Sequence, residues 1–175
     1  MRKPVGGSIL QAMPQPAPAS WRIVPLADRP DLVAPLADAL WAFWGEIFPE
    51  KTVAVRTASL RARMNRDRLP VAVVAVAPDG GLLGTASILF DDMETRPDLN
   101  PWLATVFVLP GQRRRGLGAA LCAAAEAEAW RLGVSRLHLF TFDKRGYYAG
   151  LGWRDLETVD YAGQPTAIMV KDAPG

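Results

Sequence analysis

The chain has 175 residues, half of them hydrophobic and 22% charged, with a formal net charge of +2. This length and composition are typical of one soluble globular domain with a proper core, and the small net charge argues against a general polyanion-binding protein. The single cysteine, Cys122, cannot form an internal disulfide, which favours a reducing, cytoplasmic setting.

The first 20 residues are rich in proline and alanine and predict a disordered leader. Arg2 and Lys3 precede a few apolar residues, as in a signal peptide, but glycine and proline soon interrupt that run. No stretch of the sequence approaches the length of a membrane-spanning helix, so we expect no membrane association. The folded domain is expected to occupy residues 21–175 as a single unit.

A strand and two helices are predicted next. Residues 21–26 (WRIVPL) favour a first strand. From Asp31, apolar residues recur at helical spacing and predict an amphipathic helix. The residues on its apolar face are Leu32, Leu36, Leu40 and Trp44. A second helix is predicted over residues 53–68, and we expect its arginines to form a solvated face and not a nucleic-acid patch. These arginines are Arg61, Arg63, Arg66 and Arg68.

The middle of the chain predicts a hairpin and then a strand, a loop and a helix. Residues 71–76 and 82–90 are apolar runs that flank a Pro-Asp-Gly-Gly turn, which predicts an antiparallel hairpin. Residues 102–109 are uncharged and predict a buried strand. After the loop sequence GQRRRG, apolar residues at helical spacing and the stop signal Gly133 predict a helix over residues 116–132.

The last quarter of the chain predicts three strands and a short helix. Residues 135–140 should form a strand parallel to residues 102–109, because a helix of this length makes the crossover between parallel neighbours. Asp143 could cap a short helix that holds Tyr148. Residues 153–158 and 165–171 then predict a final hairpin.

The loop between strand and helix has the features of an anion site. Its arginines precede a helix start, where unpaired N–H groups and the positive end of the dipole favour negative charge. Gly116 and Gly118 carry no Cβ, so a phosphate could approach the backbone there. A Walker loop is excluded because no lysine follows Gly116, and a dinucleotide fingerprint is excluded because Leu121 replaces its third glycine.

Two motifs in this region point to a family. The first motif follows the apolar strand and has the spacing Arg-x-x-Gly-x-Gly, formed by Arg113, Gly116 and Gly118. It resembles motif A of the GNAT superfamily of acyl-CoA N-acyltransferases. The later segment FDKRGYYAGLGWRDLE resembles motif B of that family. The resemblance extends over residues 21–171 and is specific over residues 102–153.

The resemblance implies a fold and a co-substrate. The fold is α+β, with a mixed and mainly antiparallel sheet, helices on both faces, and one central parallel strand pair that splays apart for the cofactor. The co-substrate is acetyl-CoA or another short acyl-CoA. In relatives, the loop amides bind the pyrophosphate and the strand backbone pairs with the pantetheine arm. The matching positions here are Val106, Val108, Arg113, Arg114, Arg115, Gly116, Leu117, Gly118 and Ala119.

For catalysis, the resemblance implies direct attack of an amine on the thioester. Tyr148 is the candidate general acid, since a phenol is protonated at neutral pH and can hand its proton to a leaving thiolate. A packing role for Tyr148 is the alternative, and Tyr147 is expected to pack. Some relatives hold a glutamate near the start of the motif A strand, but residues 101–109 contain no carboxylate. Asp91, Asp92 or Glu94 could deprotonate or attract the amine, or could be plain solvated acids.

The expected acceptor is a primary amine, either a small molecule or a protein N-terminus. Relatives form the acceptor pocket from the first two helices and the last hairpin, so we expect walls from Trp41, Phe48 and Trp102, with Asp92 and Glu94 at the mouth. No metal, nucleic-acid or membrane partner is expected, and the protein should be a monomer or a homodimer. Three alternatives stay open: a catalytically degenerate acyl-CoA-binding sensor, an acyltransferase for an alcohol, and one for a longer acyl chain.

Overall fold

The computed structural model describes residues 20–175, so the predicted leader, apart from Ser20, lies outside the described residues. The strands are β1 (Arg22–Pro25), β2 (Val71–Val76), β3 (Leu82–Leu89), β4 (Trp102–Val108), β5 (Arg136–Thr141), β6 (Arg154–Tyr161) and β7 (Gln164–Asp172). The helices are α1 (Val33–Trp44), α2 (Val53–Ala62), α3 (Leu117–Arg131) and α4 (Arg145–Gly150), with short 3₁₀ turns at Leu26–Asp28, Pro30–Leu32 and Pro110–Gln112.

The strands form one mixed sheet in the order β1-β2-β3-β4-β5-β7-β6. Strands β4 and β5 are parallel, and the other neighbouring pairs are antiparallel. The predicted α+β architecture is therefore confirmed, including the central parallel pair joined by α3. Both predicted hairpins, β2 with β3 and β6 with β7, are also present.

Helices cover both faces of this sheet, as the alternation along β2 shows. Val73 and Ala75 face a core built largely on α3, while the alternate residues Ala72 and Val74 face a second core formed with α1 and α2. Successive strand residues point to opposite faces, so a strand that is buried on both sides reads as an unbroken apolar run. The alanines of α3 let that helix lie close to the sheet.

Gly84 is where this close packing is tightest. It lies in β3 opposite Val108, and a Cβ at this position would come within 2.5 Å of the Phe107 carbonyl oxygen and 3.0 Å of Leu121 Cδ1. Because the nearer atom is backbone, the strand itself would have to shift. We expect Gly84→Ala to lower the free energy of unfolding by about 1–3 kcal/mol, measured by urea denaturation.

The matched control is Gly150→Ala, since a Cβ at Gly150 meets no atom within 4 Å. This variant should unfold at the wild-type urea concentration or slightly above it. Equal midpoints for Gly84→Ala and wild type would show that β3 and β4 are not in such close contact.

The second helix is shorter than the sequence predicted. It ends at Ala62, where the Asn65 side chain donates to the carbonyls of Ala62 and Pro70 at 2.8 Å each. The expectation of a solvated arginine face is wrong for Arg63, which is buried and donates to three hydroxyl groups. These belong to Ser59, Ser87 and Thr105, at 2.8–3.0 Å.

A bulge in β4 separates it from β5. Thr85 pairs with Phe107 and Ser87 pairs with Ala104, so β4 has one extra residue at this point. Thr105 in this bulge has a φ of +54°, which is rare for a β-branched residue. The parallel register of β4 and β5 holds one aligned pair, Trp102 opposite His138. Beyond that pair the two strands diverge, and the opening between them is the site described next.

Candidate active site

A cleft of about 590 Å³ lies between the diverging ends of β4 and β5. Its walls come from seven parts of the chain: the end of α1 and the segment after it, α2, the segment after β3, β4, the loop and first turn of α3, β5 with the residues that follow it, and α4. The lining residues used below are Phe43, Trp44, Phe48, Lys51, Arg56, Asp92, Val106, Val108, Arg113, Arg114, Gly116, Leu117, Gly118, Ala119, Tyr147 and Tyr148.

The start of α3 presents unpaired amides to this cleft. The first internal bond of the helix is donated by Ala120 N–H to the Gly116 carbonyl at 3.1 Å, so the N–H groups of Leu117, Gly118 and Ala119 precede it. No side chain of residues 20–175 caps the helix, and Gly116 has a φ of +78°. Arg114 also has positive φ, at +61°. Such a bend aims consecutive N–H groups at one point, as an anion requires.

The three loop arginines point in different directions. Arg113 donates from Nε to the Val108 carbonyl at 3.0 Å and its guanidinium stacks 4.8 Å from the Phe43 ring centre. Arg113 and Arg114 line the cleft as predicted. Arg115 does not line it, because its guanidinium donates to Gln112 Oε1 at 2.7 Å and lies toward Trp21.

Tyr148 and Tyr147 both reach the cleft from α4. Tyr148 is half-buried, and burial raises the pKa of its phenol above the ordinary value. Within residues 20–175 its hydroxyl has no hydrogen-bond partner, so its proton is free for a ligand. Tyr147 is more exposed, and its hydroxyl lies 2.8 Å from where a Cβ of Gly118 would stand.

The expected cap of α4 is wrong in detail. The residue before the helix is Lys144, and its backbone N–H donates to Thr141 Oγ1 at 3.0 Å, while Asp143 pairs with the Lys144 side chain. Thr141, at the end of β5, therefore fixes the turn before α4, and no side chain of residues 20–175 caps the helix itself.

Two carboxylates line the cleft, Asp92 and Asp143; Asp143 is exposed and pairs with Lys144, so Asp92 is the candidate base. It is half-buried, and burial raises its pKa to about 6 even though the positive charges of Lys51 and Arg63 act in the opposite direction. Glu94 is exposed and does not line the cleft, contrary to expectation.

Glu94 and Asp92 meet instead in an adjoining pocket of about 330 Å³, here called the side pocket. The side pocket is lined by Leu40, Lys51, Val55, Arg56, Ser59, Leu60, Arg63, Leu89, Asp91, Asp92, Glu94 and Thr105. It shares Lys51, Arg56, Asp92 and Thr105 with the cleft, so the two pockets are adjacent.

The aromatic wall differs from the predicted one. Phe48 lines the cleft as expected, together with Phe43 and Trp44, whose rings pack on Phe107 at 5.4 and 5.8 Å between centres. Trp41 does not line it, because the turn of α1 that ends at Trp44 directs Phe43 there instead.

Trp102 is also misplaced by the sequence prediction. It is completely buried, and its indole N–H donates to the Leu99 carbonyl at 2.7 Å, so it is a core residue and does not line the cleft. Sequence reasoning also missed Lys51 and Arg56, which carry charge into the site. The sequence shows them only as polar residues, Arg56 in a predicted helix and Lys51 in the segment before it.

Two general features of the described residues bear on the site. Across residues 20–175, no three His, Cys, Asp or Glu side chains are grouped so that they could hold a metal ion. In the same part of the chain, no helix is both long and apolar enough to cross a membrane.

Solved structures share this fold. An aminoglycoside 6'-N-acetyltransferase complexed with coenzyme A is 21% identical, with a TM-score of 0.69 and coverage of 88% of this chain and 98% of that one. The aminoglycoside 6'-N-acetyltransferase from Enterococcus faecium is 21% identical, with a TM-score of 0.67 and the same coverage. The structure of yncA from Salmonella typhimurium with its cofactor acetyl-CoA is 16% identical, with a TM-score of 0.64, covering 87% of this chain and 94% of that one.

No curated protein sequence matches the chain significantly. The model of the acetyltransferase (GNAT) family matches residues 33–153, which is more than half of the chain and includes the loop, α3 and α4. The order of strands, the splayed parallel pair and the glycine-arginine loop agree with that match. The chain belongs to the GNAT acetyltransferase family.

Proposed function

We propose that the protein is an acetyl-CoA-dependent N-acetyltransferase that acts on a primary amine. One observation carries the proposal: the amides at the start of α3 and the Tyr148 hydroxyl have no partner within residues 20–175, and they open onto the same cleft as a carboxylate of raised pKa, Asp92. A phosphate-binding end, a proton donor and a proton acceptor are what acyl transfer from a CoA thioester to an amine needs.

The residues present fit acyl-CoA. Leu117, Gly118 and Ala119 offer N–H groups for a pyrophosphate, with Arg113 and Arg114 as counter-charges. The edge of β4 beyond Trp102 is free of β5, so the backbone around Val106 and Val108 can pair with the extended pantetheine arm as a missing strand would.

Proton transfer falls to two side chains. When bound, acetyl-CoA supplies the thioester carbonyl that the amine nitrogen attacks, so that a C–N bond forms and the C–S bond breaks. Asp92 takes a proton from the acceptor's ammonium, directly or through water. Tyr148 gives its proton to the departing sulfur, and its raised pKa keeps it protonated at neutral and mildly alkaline pH.

The role of Asp92 predicts a pH dependence. Because the base must be ionised, kcat/KM of the wild-type protein should fall as the pH drops through about 6. Asp92→Asn should lower kcat/KM by roughly 10- to 100-fold and remove that acidic limb. The measurement is a pH profile of thiol release from acetyl-CoA for both proteins.

The melting temperature of Asp92→Asn shows whether its lower activity comes from loss of the base or from unfolding. A carboxyl whose pKa is raised by folding binds its proton more tightly in the native state, so its ionisation costs stability as the pH rises through that pKa. Asp92→Asn should therefore melt at or above the wild-type temperature at pH 8. A variant that keeps the acidic limb would show that another group is the base.

The direct test of the function has two readouts. Acetyl-CoA should raise the melting temperature of the purified protein, and a panel of primary amines should include acceptors that release free CoA thiol. Thermal stabilisation without thiol release from any amine would favour the alternative of an acyl-CoA-binding sensor.

A further inference from the structure

Within the described part of the chain, the side pocket holds a buried positive charge without a partner. Arg56, on α2, is 9% exposed, yet its Nε and Nη2 atoms are fully buried and have no hydrogen-bond acceptor among residues 20–175. No carboxylate of residues 20–175 lies within 4.0 Å of its guanidinium. Glu50 acts on Arg56 only at longer range, and burial lowers the pKa of the guanidinium.

A second arginine makes this charge harder to neutralise. Arg63 is equally buried, and its acceptors are the neutral hydroxyls of Ser59, Ser87 and Thr105. Arg63 Nε also has no acceptor among residues 20–175, and burial together with the charge of Arg56 lowers the pKa of the Arg63 guanidinium. Leaving such donors unsatisfied costs free energy, more so for a charged group than for a neutral one. The pocket is thus suited to a ligand that brings an anion.

The acidic residues that line the side pocket do not neutralise Arg56. Asp91 and Glu94 are exposed at the mouth of the side pocket. The charges of Lys51 and Arg63 lower the pKa of Asp92, but Asp92 forms no hydrogen bond or ion pair with Arg56. Arg56 lines both spaces, but none of residues 112–119 lines the side pocket, so an anion held inside the side pocket would not contact the start of α3.

We propose that Arg56 binds a carboxylate of the acceptor, so that the acceptor is a small amino acid-like molecule carrying both a primary amine and a carboxylate. This inference rests on the proposed function, because it assumes that an acceptor amine approaches Asp92. The planar fork of a guanidinium matches a carboxylate in two parallel hydrogen bonds. The side pocket, at about 330 Å³, has room for a small molecule, and Asp92 on its wall faces the cleft as well.

The test uses matched sets of acceptors: an amino acid, its carboxamide and its decarboxylated amine. With the wild-type protein and acetyl-CoA, kcat/KM should be about 100-fold higher for the amino acid than for the other two, since the site would otherwise keep an unpaired buried charge. Arg56→Met should remove this preference by lowering kcat/KM for the amino acid to the value for the other two acceptors. Arg56→Lys, which keeps the charge but not the fork, should recover part of the preference.

Two controls bear on folding. Arg61→Met alters an exposed arginine of the same helix and should keep the wild-type preference. Arg56→Met should melt no lower than wild type, because replacing a buried unpaired charge by an apolar side chain of similar length is neutral or stabilising. If it does not fold, Arg56→Lys supplies the comparison.

Binding distinguishes this inference from the proposed function. Calorimetry with CoA present measures acceptor binding without turnover. Amino acids that bind through Arg56 but are never acetylated would support the carboxylate site and refute the transferase. Equal turnover of all three acceptors, or turnover only of amines that carry a phosphate, would overturn the carboxylate site and leave the transferase standing.

Discussion

Gly118→Glu is expected to weaken acetyl-CoA binding by at least about 100-fold, which is about 2.7 kcal/mol. Gly118 is in the first turn of α3, and its N–H is one of three that the helix leaves unpaired at the cleft. A carboxylate there would repel the pyrophosphate, and its Cβ would stand 2.8 Å from the Tyr147 hydroxyl. Isothermal titration calorimetry with acetyl-CoA gives the ratio of dissociation constants.

Two variants bracket this result. Gly118→Ala adds only the Cβ, which the flexible end of Tyr147 can avoid, so it should weaken binding by less than about 10-fold. Gly150→Glu adds the same charge at an open position of α4 and should bind like wild type. If Gly118→Glu also binds acetyl-CoA like wild type, the amides of α3 do not hold the pyrophosphate.

Tyr148→Phe is expected to lower kcat by about 10²- to 10⁴-fold while acetyl-CoA binds as before. The substitution removes the one hydroxyl that, in our account, protonates the leaving thiolate, and it keeps the ring that packs against the core beside α3. Single-turnover measurements of thiol release separate this chemical step from binding and product release.

Tyr147→Phe is the matched comparison, because the two rings are neighbours on α4, 5.2 Å apart between centres. It should change kcat by less than about 10-fold, well below the factor expected for loss of a general acid. Normal turnover in Tyr148→Phe together with slow turnover in Tyr147→Phe would move the proton donor to the adjacent residue.

Much of the fold follows from patterns that are local in sequence. The two-residue period does not appear in β2, but its unbroken apolar run between turn residues still marks a strand covered on both faces. The alanine-rich helix between residues 109 and 135 required a crossover, and β4 and β5 are indeed parallel. The helix start after the arginine and glycine loop also follows from the sequence, and α3 does begin there, at Leu117.

The side chains that line the interior of the site could not be predicted from local sequence patterns. Arg63 and Arg61 are two residues apart in one polar run, yet only Arg63 turns inward, because three hydroxyls from other parts of the chain meet there. The bulge at Thr105 has no local signal, since a Thr-Val sequence suits a regular strand equally well.

Aromatic residues were the other source of error. Trp102, Trp41 and Phe43 all have large aromatic side chains, so the sequence does not distinguish a core position from a cleft position. Tertiary packing places Trp102 in the core and Phe43 at the cleft. Asp92 could not be separated from Asp91 and Glu94 by sequence. Burial raises its pKa to about 6, against the opposite effect of the Lys51 and Arg63 charges, and this singles it out.

The central claim is that the bend at residues 113–119 holds the pyrophosphate of acetyl-CoA beside the splayed strands. A crystal structure of the protein with acetyl-CoA tests it most directly. The account predicts pyrophosphate oxygens within hydrogen-bond distance of the N–H groups of Leu117, Gly118 and Ala119, with the pantetheine arm along β4. A cofactor bound elsewhere, with those three amides still facing solvent, would contradict it.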